Sequence, residues 1–282
     1  MLIHVHKYTL DTVAPMPADS EREIIAKVAS AAEGGVIDLE TAAAAFGSSR
    51  LEASRRMSAL VSGGWLSRVR RGVYSIRPLD AAPGTALAEE DPWIIAERVF
   101  NPCYIGGWTA AGYWDLTEQL YRATMVVTER RVRRADVTIG SSVYHVARES
   151  HKRSNGLSHV WRNNSRLLVS SVERTIIDAC THPGWVGGGG QLIAIFRSAV
   201  DDARITAESV LSAVTEAPTG AALGRLAVLV DRYWPSAMDV TAYLAEHRGT
   251  GYVRFDPDVK DNGSLNTRWG VWLNVAFEAD TT

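Results

Sequence analysis

The chain has 282 residues, of which 46% are hydrophobic and 22% are charged. It is therefore long enough for two domains with hydrophobic cores, and this composition excludes a disordered protein. Two cysteines are too few for a disulfide framework, and neither lies in a Cys/His cluster typical of zinc sites. No stretch approaches the ~18 apolar residues of a membrane span, and the N-terminus has no signal-peptide pattern. We therefore expect a cytoplasmic protein with no membrane partner.

The formal net charge of −2 argues by itself against a protein that holds polyanions. The charges are unevenly distributed, however. Residues 48–77 contain seven Lys or Arg and one Asp or Glu, and residues 128–166 contain nine against three. Each segment carries +6, and three acidic segments flank them. We call residues 48–77 the first basic block and residues 128–166 the second basic block.

The first 78 residues predict three short helices followed by a hairpin. The apolar spacing within residues 20–33 is helical, and Gly34-Gly35 ends that helix. Asp38 is a candidate N-cap for a second helix over 39–46, and a third helix begins at Ser48 or Ser49 and ends at Gly63. Residues 65–76 alternate around a glycine turn, which predicts two strands.

The third helix and the hairpin carry the first basic block. Ala53, Met57 and Leu60 share one stripe of that helix, and basic and hydroxyl side chains occupy the opposite side. This order of elements predicts a winged helix-turn-helix domain over residues 1–78, with the third helix in the major groove of DNA and the hairpin on the backbone. The alternatives are a solvated charged face and a protein-interaction module. The candidate DNA-binding residues are Ser48, Ser49, Arg50, Leu51, Ser54, Arg55, Arg68, Arg70 and Arg71.

Residues 79–91 contain proline, glycine and small residues and predict a linker to an α+β domain over 92–282. Pro92 opens a helix, and a later helix begins at Ser170 or Ser171, with Ser170 and Glu173 in the spacing of a capping box. The remaining predicted strands are 123–128, 142–147, 166–170, 251–255 and 269–277, and the remaining helices are 189–200, 206–215 and 220–232. The predicted fold class is α+β.

The second basic block includes four arginines within five residues beside a predicted strand. Such a run fits a hairpin tip that reaches DNA or an acidic partner, and it also fits a solvated loop. The possible second basic patch consists of Arg130, Arg131, Arg133, Arg134, Lys152 and Arg153.

Patterns typical of enzymes are weak in this sequence. Gly187–Gly190 lacks the ending of a phosphate-binding loop and indicates a flexible connection. Asp256, Asp258 and Lys260 are compatible with a metal-dependent nuclease, but no acidic partner is evident upstream, and a turn held by Asp and Pro is the simpler interpretation. We therefore expect no catalytic residues, no metal site and no cofactor.

Three segments resemble the AbiEi family of bacterial antitoxins, from the abortive-infection type of toxin-antitoxin system. They are Gly63-Gly64-Trp65-Leu66-Ser67-Arg68-Val69-Arg70-Arg71-Gly72-Val73-Tyr74, Tyr104-Ile105-Gly106-Gly107-Trp108-Thr109-Ala110-Ala111 and Val169-Ser170-Ser171-Val172-Glu173-Arg174-Thr175-Ile176-Ile177-Asp178. The resemblance extends from about residue 20 to about residue 235, and the length and composition are similar to those of mycobacterial members. Residues 183–190 and the last 45 or so residues depart from the family pattern.

The resemblance implies a winged helix that binds inverted repeats in its own promoter and represses its operon. It also implies a C-terminal domain that counteracts a nucleotidyltransferase-like toxin, with direct contact between the two proteins left open. Gly140-Ser141 is not followed by the Asp-x-Asp of such a toxin, so the resemblance is to the antitoxin. The competing hypotheses are a winged-helix protein with a nuclease-like C-terminal domain and a ligand-sensing repressor without a toxin.

Overall fold

The structure, a computed structural model, describes residues 21–77, 91–149, 155–215, 219–261 and 263–277. Most of the predicted linker, residues 79–90, lies outside the described residues, as do Lys152 and Arg153 of the possible second basic patch. The described chain is a mixed α+β fold with several sheets, as the sequence predicts at this level. Within these ranges, the length and apolar character of the helices fall short of what a membrane crossing requires.

The N-terminal region is a small helical layer on a three-stranded antiparallel sheet in the order β1-β3-β2. The Asp38 carboxylate accepts hydrogen bonds from the amides of Glu40 and Thr41 at 2.8 Å and starts α2. Gly47, at φ 58°, ends that helix in the left-handed region that glycine adopts without strain. The elements are α1 (Glu21–Ala31), β1 (Val36–Asp38), α2 (Leu39–Phe46), α3 (Arg50–Ser62), β2 (Leu66–Arg70) and β3 (Val73–Ile76).

A six-stranded mixed sheet forms the middle of the molecule, in the order β6-β7-β5-β4-β9-β8. Helix α4 packs on one face of this sheet, where Ile94 and Ile95 contact buried residues of the central strands. The elements are α4 (Pro92–Phe100), β4 (Cys103–Ile105), α5 (Gly107–Tyr113), β5 (Ala123–Thr128), β6 (Asp136–Ile139), β7 (Ser142–Arg148), β8 (Leu157–Arg162) and β9 (Ser165–Ser170).

The C-terminal part is a helical layer with a small sheet in the order β10-β12-β11. Phe196, Leu226 and Phe255 are fully buried in its core. The elements are α6 (Val172–Thr181), a 3₁₀ turn (Pro183–Val186), α7 (Gly189–Asp201), α8 (Ala207–Thr215), α9 (Gly220–Tyr233), α10 (Met238–His247), β10 (Val253–Arg254), β11 (Ser264–Asn266) and β12 (Val271–Leu273).

The structure corrects several predicted boundaries. The strand expected over 251–255 is reduced to Val253–Arg254, and the segment 269–277 contains one three-residue strand after a turn. Helix α10 and strands β4, β6 and β8 were not predicted. Their local patterns are weak because β4 is short and β6 and β8 are the two edge strands of the central sheet.

The N-terminal region and the central sheet share an apolar contact. Val36 and Val73 of the small sheet lie in the same buried cluster as Ile94 of α4. Gly34, at φ 57°, packs so closely on this helix that an added Cβ would lie 2.4 Å from Ile94 Cδ1. Glycine is favoured at this turn because its positive φ strains any other residue, and a larger side chain would also displace the end of the Ile94 side chain.

Candidate nucleic-acid interface

The first turn of α3 is fixed by a capping box. The Ser49 hydroxyl accepts a hydrogen bond from the Glu52 amide, and the Glu52 carboxylate accepts one from the Ser49 amide at 3.0 Å. The Ser49 hydroxyl also donates to the Glu52 carboxylate at 2.9 Å. The bonds that the Ser49 amide and hydroxyl donate to this carboxylate lower the pKa of Glu52 below its ordinary value. Ser49 is therefore the N-cap, the later of the two starts that the sequence allowed, and residues from Arg50 onward are helical.

The two faces of α3 differ as the sequence predicts. Ala53, Met57 and Leu60 are buried against the N-terminal core. Arg50, Leu51 and Arg55 are exposed on the other side, with Leu51 64% exposed, and Ser54 lies half-buried beside them. Within the described chain, the guanidinium groups of Arg50 and Arg55 form no hydrogen bond or ion pair. The outer face of α3 therefore presents unpaired cationic groups to solvent.

Ser48 differs from the other candidates on this segment. Its hydroxyl is buried and has no hydrogen-bond partner. It therefore does not join the exposed face formed by Arg50, Leu51 and Arg55.

The hairpin lies beside that face. Strands β2 and β3 turn at Arg71-Gly72, where Gly72 adopts φ 82°. The Arg68 guanidinium extends from β2 to the Ser58 hydroxyl on α3 at 3.4 Å and also lies over the Tyr74 ring. Arg71 at the turn is exposed and, among the described residues, its guanidinium is unpaired.

Arg70 contacts the central part of the molecule instead. Its Nη2 donates a hydrogen bond to the carbonyl oxygen of Val99, at the end of α4, at 3.0 Å. Burial at this contact lowers the pKa of Arg70, and the positive charge of Arg130 lowers it further. Arg70 therefore joins the hairpin to α4, a role that the sequence did not indicate because Val99 is distant along the chain.

The second basic block begins next to this contact. The Thr128 hydroxyl donates to the carbonyl oxygens of Phe100 and Pro102 at 2.8 Å, so the end of β5 lies against the chain that follows Val99. Arg130 comes two residues after Thr128 and is close enough for its charge to affect Arg70. Arg130 of the second basic block therefore lies near Arg70 of the first, although the two are distant in sequence.

The predicted hairpin tip at the second basic block is wrong. Strand β6 pairs with β7 and not with β5, so the arginines lie on a connection that passes over the end of β7. The four clustered arginines on this connection are exposed, namely Arg130, Arg131, Arg133 and Arg134.

The Ser-x-x-Arg-Thr-x-x-Asp stretch forms a buried polar network. The Arg174 Nε donates to Asp178 Oδ1 at 2.8 Å, and its Nη2 donates to the Tyr104 hydroxyl oxygen at 3.1 Å. The Tyr104 hydroxyl in turn donates to Asp178 Oδ2 at 2.8 Å. Arg174 Nη1 donates to the carbonyl oxygen of Asn155 at 3.1 Å. The network therefore ties α6 to β4 and to the chain that leads into β8.

The charges in this network favour a protonated Arg174 guanidinium and a protonated Tyr104 hydroxyl. Burial alone would lower the pKa of Arg174, but Asp178 and Tyr104 outweigh it and raise the pKa above its ordinary value. Burial and the Asp178 charge raise the pKa of Tyr104 well above its ordinary value, so the hydroxyl keeps its proton. The cluster is consistent with a structural role for the most motif-like segment of the sequence.

The start of α6 corrects one predicted cap. Ser171, not Ser170, is the N-cap, and its hydroxyl accepts from the Arg174 amide at 3.2 Å. The Ser170 hydroxyl is buried and pairs with the hydroxyl of Thr175 at 2.7 Å. Because both serines are good caps, the local sequence could not separate them.

The glycine run and the Asp256 segment meet in the structure. Asp256 Oδ2 accepts a hydrogen bond from the Gly189 amide in the first turn of α7 at 2.7 Å, and Oδ1 accepts from the Asp258 amide at 3.0 Å. Gly188, at φ 104°, leaves room for this approach, since a Cβ there would lie 2.9 Å from Asp256 Oδ2. The flexible connection predicted for 187–190 is therefore wrong. Asp256 caps a helix, and Asp258 is exposed.

We searched the described ranges for side chains that could bind a metal ion or react as thiolates. No group of three His, Cys, Asp or Glu residues there could hold a metal ion. Burial raises the pKa of both Cys103 and Cys180 to about 12, which disfavours the reactive thiolate.

Comparisons with known proteins give a fold and no family. No family model matches this sequence, and no curated protein matches it. Among solved structures, the chain is similar to the crystal structure of the Rv2827c protein from Mycobacterium tuberculosis. The TM-score is 0.58 at 16% sequence identity, over 88% of this chain and 89% of that one. This similarity extends over nearly the whole length and describes the architecture.

Proposed function

We propose that this protein is a sequence-specific repressor that binds double-stranded DNA, and that its N-terminal region acts as a winged helix-turn-helix. The observation that carries the proposal is the surface formed by α3 and the hairpin. Arg50, Leu51 and Arg55 project from the face of α3 opposite its core, and Arg68 connects the hairpin to that face through Ser58. A helix with arginine and small side chains fits the major groove, where arginine can bond guanine edges.

The unpaired state of these arginines supports the same proposal. An arginine with an intramolecular partner loses that interaction when it binds a phosphate, whereas Arg50, Arg55 and Arg71 have no such hydrogen bond or ion pair among the described residues. Counterion release by each phosphate contact then adds to affinity. The second basic block extends this positive surface, because Arg130 adjoins the hairpin at Arg70.

We further propose that the protein acts as the antitoxin of a toxin-antitoxin pair and represses its own operon. The support is the resemblance of its three segments to AbiEi antitoxins, and the implied partner is a nucleotidyltransferase-like toxin. We expect a nucleotidyltransferase gene next to the gene of this protein. Coexpression of this protein should relieve the toxicity of the nucleotidyltransferase. Undiminished toxicity on coexpression would contradict the antitoxin part alone.

Fluorescence anisotropy with the duplex upstream of the gene, compared with a scrambled duplex, tests DNA binding. We expect Arg55→Ala to cost ~1–3 kcal/mol on the cognate duplex only, because it removes base contacts. Arg71→Ala should weaken binding to both duplexes and reduce the salt slope by ~1, because it removes a phosphate contact. Arg204→Ala is the control variant, because Arg204 is an exposed arginine between α7 and α8 and its replacement removes the same charge.

The proposal fails if the wild-type protein does not bind the upstream duplex at low salt. It also fails if Arg204→Ala weakens binding as much as Arg55→Ala, since the attraction would then be non-specific. A nuclease, the competing hypothesis, would cut supercoiled DNA with Mg²⁺ and lose that activity in Asp258→Ala.

A further inference from the structure

A polar cavity in the central part of the molecule lies away from the proposed DNA-binding surface. It has a volume of about 650 Å³ and lies where the start of β5 meets the turns β6–β7 and β8–β9. Arg162 of the second basic block lines this cavity, whereas the clustered arginines of that block, within residues 130–134, follow the opposite end of β5. Six residues of strand separate these ends by roughly 16 Å.

Two arginines line this cavity. Arg122 precedes β5, is exposed, and forms no hydrogen bond or ion pair with the rest of the described chain. Arg162, at the end of β8, is held in place: its Nε donates to Asp91 Oδ2 at 2.5 Å, and its guanidinium lies over the Trp93 ring, 4.5 Å from the centroid. The terminal nitrogens of Arg162 have no hydrogen-bond partner among the described residues.

Among the described residues, one carboxylate lines the cavity, and both of its oxygens already accept hydrogen bonds. Asp91 Oδ1 accepts the Trp93 amide at 2.9 Å as the N-cap of α4, and Oδ2 accepts from Arg162. Asp91 therefore orients Arg162 and neutralises only one of the two guanidinium charges. The lining residues that the structure describes therefore carry a net positive charge.

Neutral donors complete the cavity. Thr124, on β5, is 8% exposed and lines it, and its hydroxyl has no hydrogen-bond partner among the described residues. Ser141 and Ser142 add hydroxyl groups. Asn163 adds an amide at a tight turn, where it adopts φ 45°.

We propose that this cavity is a binding site for a phosphate monoester the size of a mononucleotide or a sugar phosphate. A phosphate group has three peripheral oxygens and up to two charges, which matches two guanidinium groups and several hydroxyls. A carboxylate has only two oxygens and would leave most of these donors unbonded. A volume of about 650 Å³ exceeds what a bare phosphate ion fills and falls in the range of sites for small organic ligands.

Isothermal titration calorimetry with adenosine monophosphate, ribose 5-phosphate and inorganic phosphate tests this proposal without any DNA. We expect wild-type protein to bind at least one of the two monoesters, and more tightly than inorganic phosphate. Arg122→Ala and Arg162→Lys should each weaken binding by ~10-fold or more, because each removes charge-assisted hydrogen bonds. Arg162→Lys retains the positive charge but removes the planar guanidinium group that can donate two parallel hydrogen bonds to a phosphate.

Two control variants separate this site from general attraction and from the DNA surface. Arg204→Ala and Arg71→Ala remove the same charge elsewhere and should leave monoester binding unchanged. Conversely, Arg122→Ala should retain its affinity for the upstream duplex. Equal weakening by Arg204→Ala, or no binding of either monoester at millimolar concentration, would overturn the proposal.

The same chemistry could be supplied by the DNA backbone, and a competition experiment distinguishes the two sources. A short duplex without terminal phosphates is added to protein saturated with the monoester. Binding of both together supports a separate small-molecule site. Displacement of the monoester by the duplex would assign the cavity to the DNA footprint and overturn the proposal.

Discussion

Helices α3 and α6 begin in the same way and use arginine for opposite purposes. Each starts at a serine N-cap, Ser49 in one and Ser171 in the other. In α3 the third residue is Glu52, which closes the capping box, and Arg55 projects to solvent. In α6 the third residue is Arg174, which is buried with every polar arm bonded. The comparison teaches that a conspicuous sequence motif does not imply that its arginine is accessible for binding.

The largest expected effect lies in α6. Arg174→Ala removes the ion pair that Arg174 forms with the buried Asp178 carboxylate, so we expect a loss of ~3–5 kcal/mol in the free energy of unfolding. Urea denaturation followed by circular dichroism measures it. Tyr104→Phe removes one hydroxyl from the same network and should cost ~1–3 kcal/mol.

Arg55→Ala in α3 is the matched control for that experiment. It removes an exposed arginine and should change stability by no more than ~0.5 kcal/mol. If Arg174→Ala destabilises the protein no more than Arg55→Ala, the structural interpretation of the Ser-x-x-Arg-Thr-x-x-Asp stretch is wrong.

Asp256 and Asp258 offer a second comparison between a buried, bonded side chain and an exposed one. Asp256→Ala removes the acceptor at the start of α7 and should cost ~1–2 kcal/mol, as lost helix caps do. Asp258→Ala, two residues away and exposed, should cost no more than ~0.5 kcal/mol. Thermal unfolding of both variants provides the measurement. Equal losses would show that this segment contributes through its turn and not through the cap.

The smallest effect concerns the pH dependence of α3. The pKa of Glu52 is lowered in the folded protein, so its contribution is present above the ordinary glutamate pKa. It is lost as the pH falls through the lower, folded value. Wild type and Glu52→Gln should therefore differ in stability near neutral pH and converge in acid. A difference that persists in strong acid, where the Glu52 carboxylate is protonated in the folded protein as well, would contradict the capping box as its source.

The features that could be predicted from the sequence are those that depend on interactions between residues close together in the chain. Asp38, Ser49 and Pro92 mark helix starts because a cap bonds amides only two or three residues away. The opposite faces of α3 were predicted because helical spacing fixes them.

Features that depend on distant partners were not predictable. Arg70 was assigned to DNA with Arg71, but its partner Val99 lies 29 residues away. The carboxylate of Asp256 bonds an amide 67 residues earlier. The polar cavity gathers residues from separate turns of one sheet, and no local pattern links Arg122 to Arg162.

The Asp256 contact also affects the order in which the chain can fold as it is synthesised. Helix α7 emerges from the ribosome long before Asp256, and Asn274, whose side chain bonds the Asp256 amide and carbonyl, emerges later still. Until Asp256 is available, the Gly189 amide lacks the carboxylate that accepts its hydrogen bond in the folded protein. Completion of the helical layer is therefore a late event in synthesis, after the N-terminal helices and the central sheet have left the ribosome.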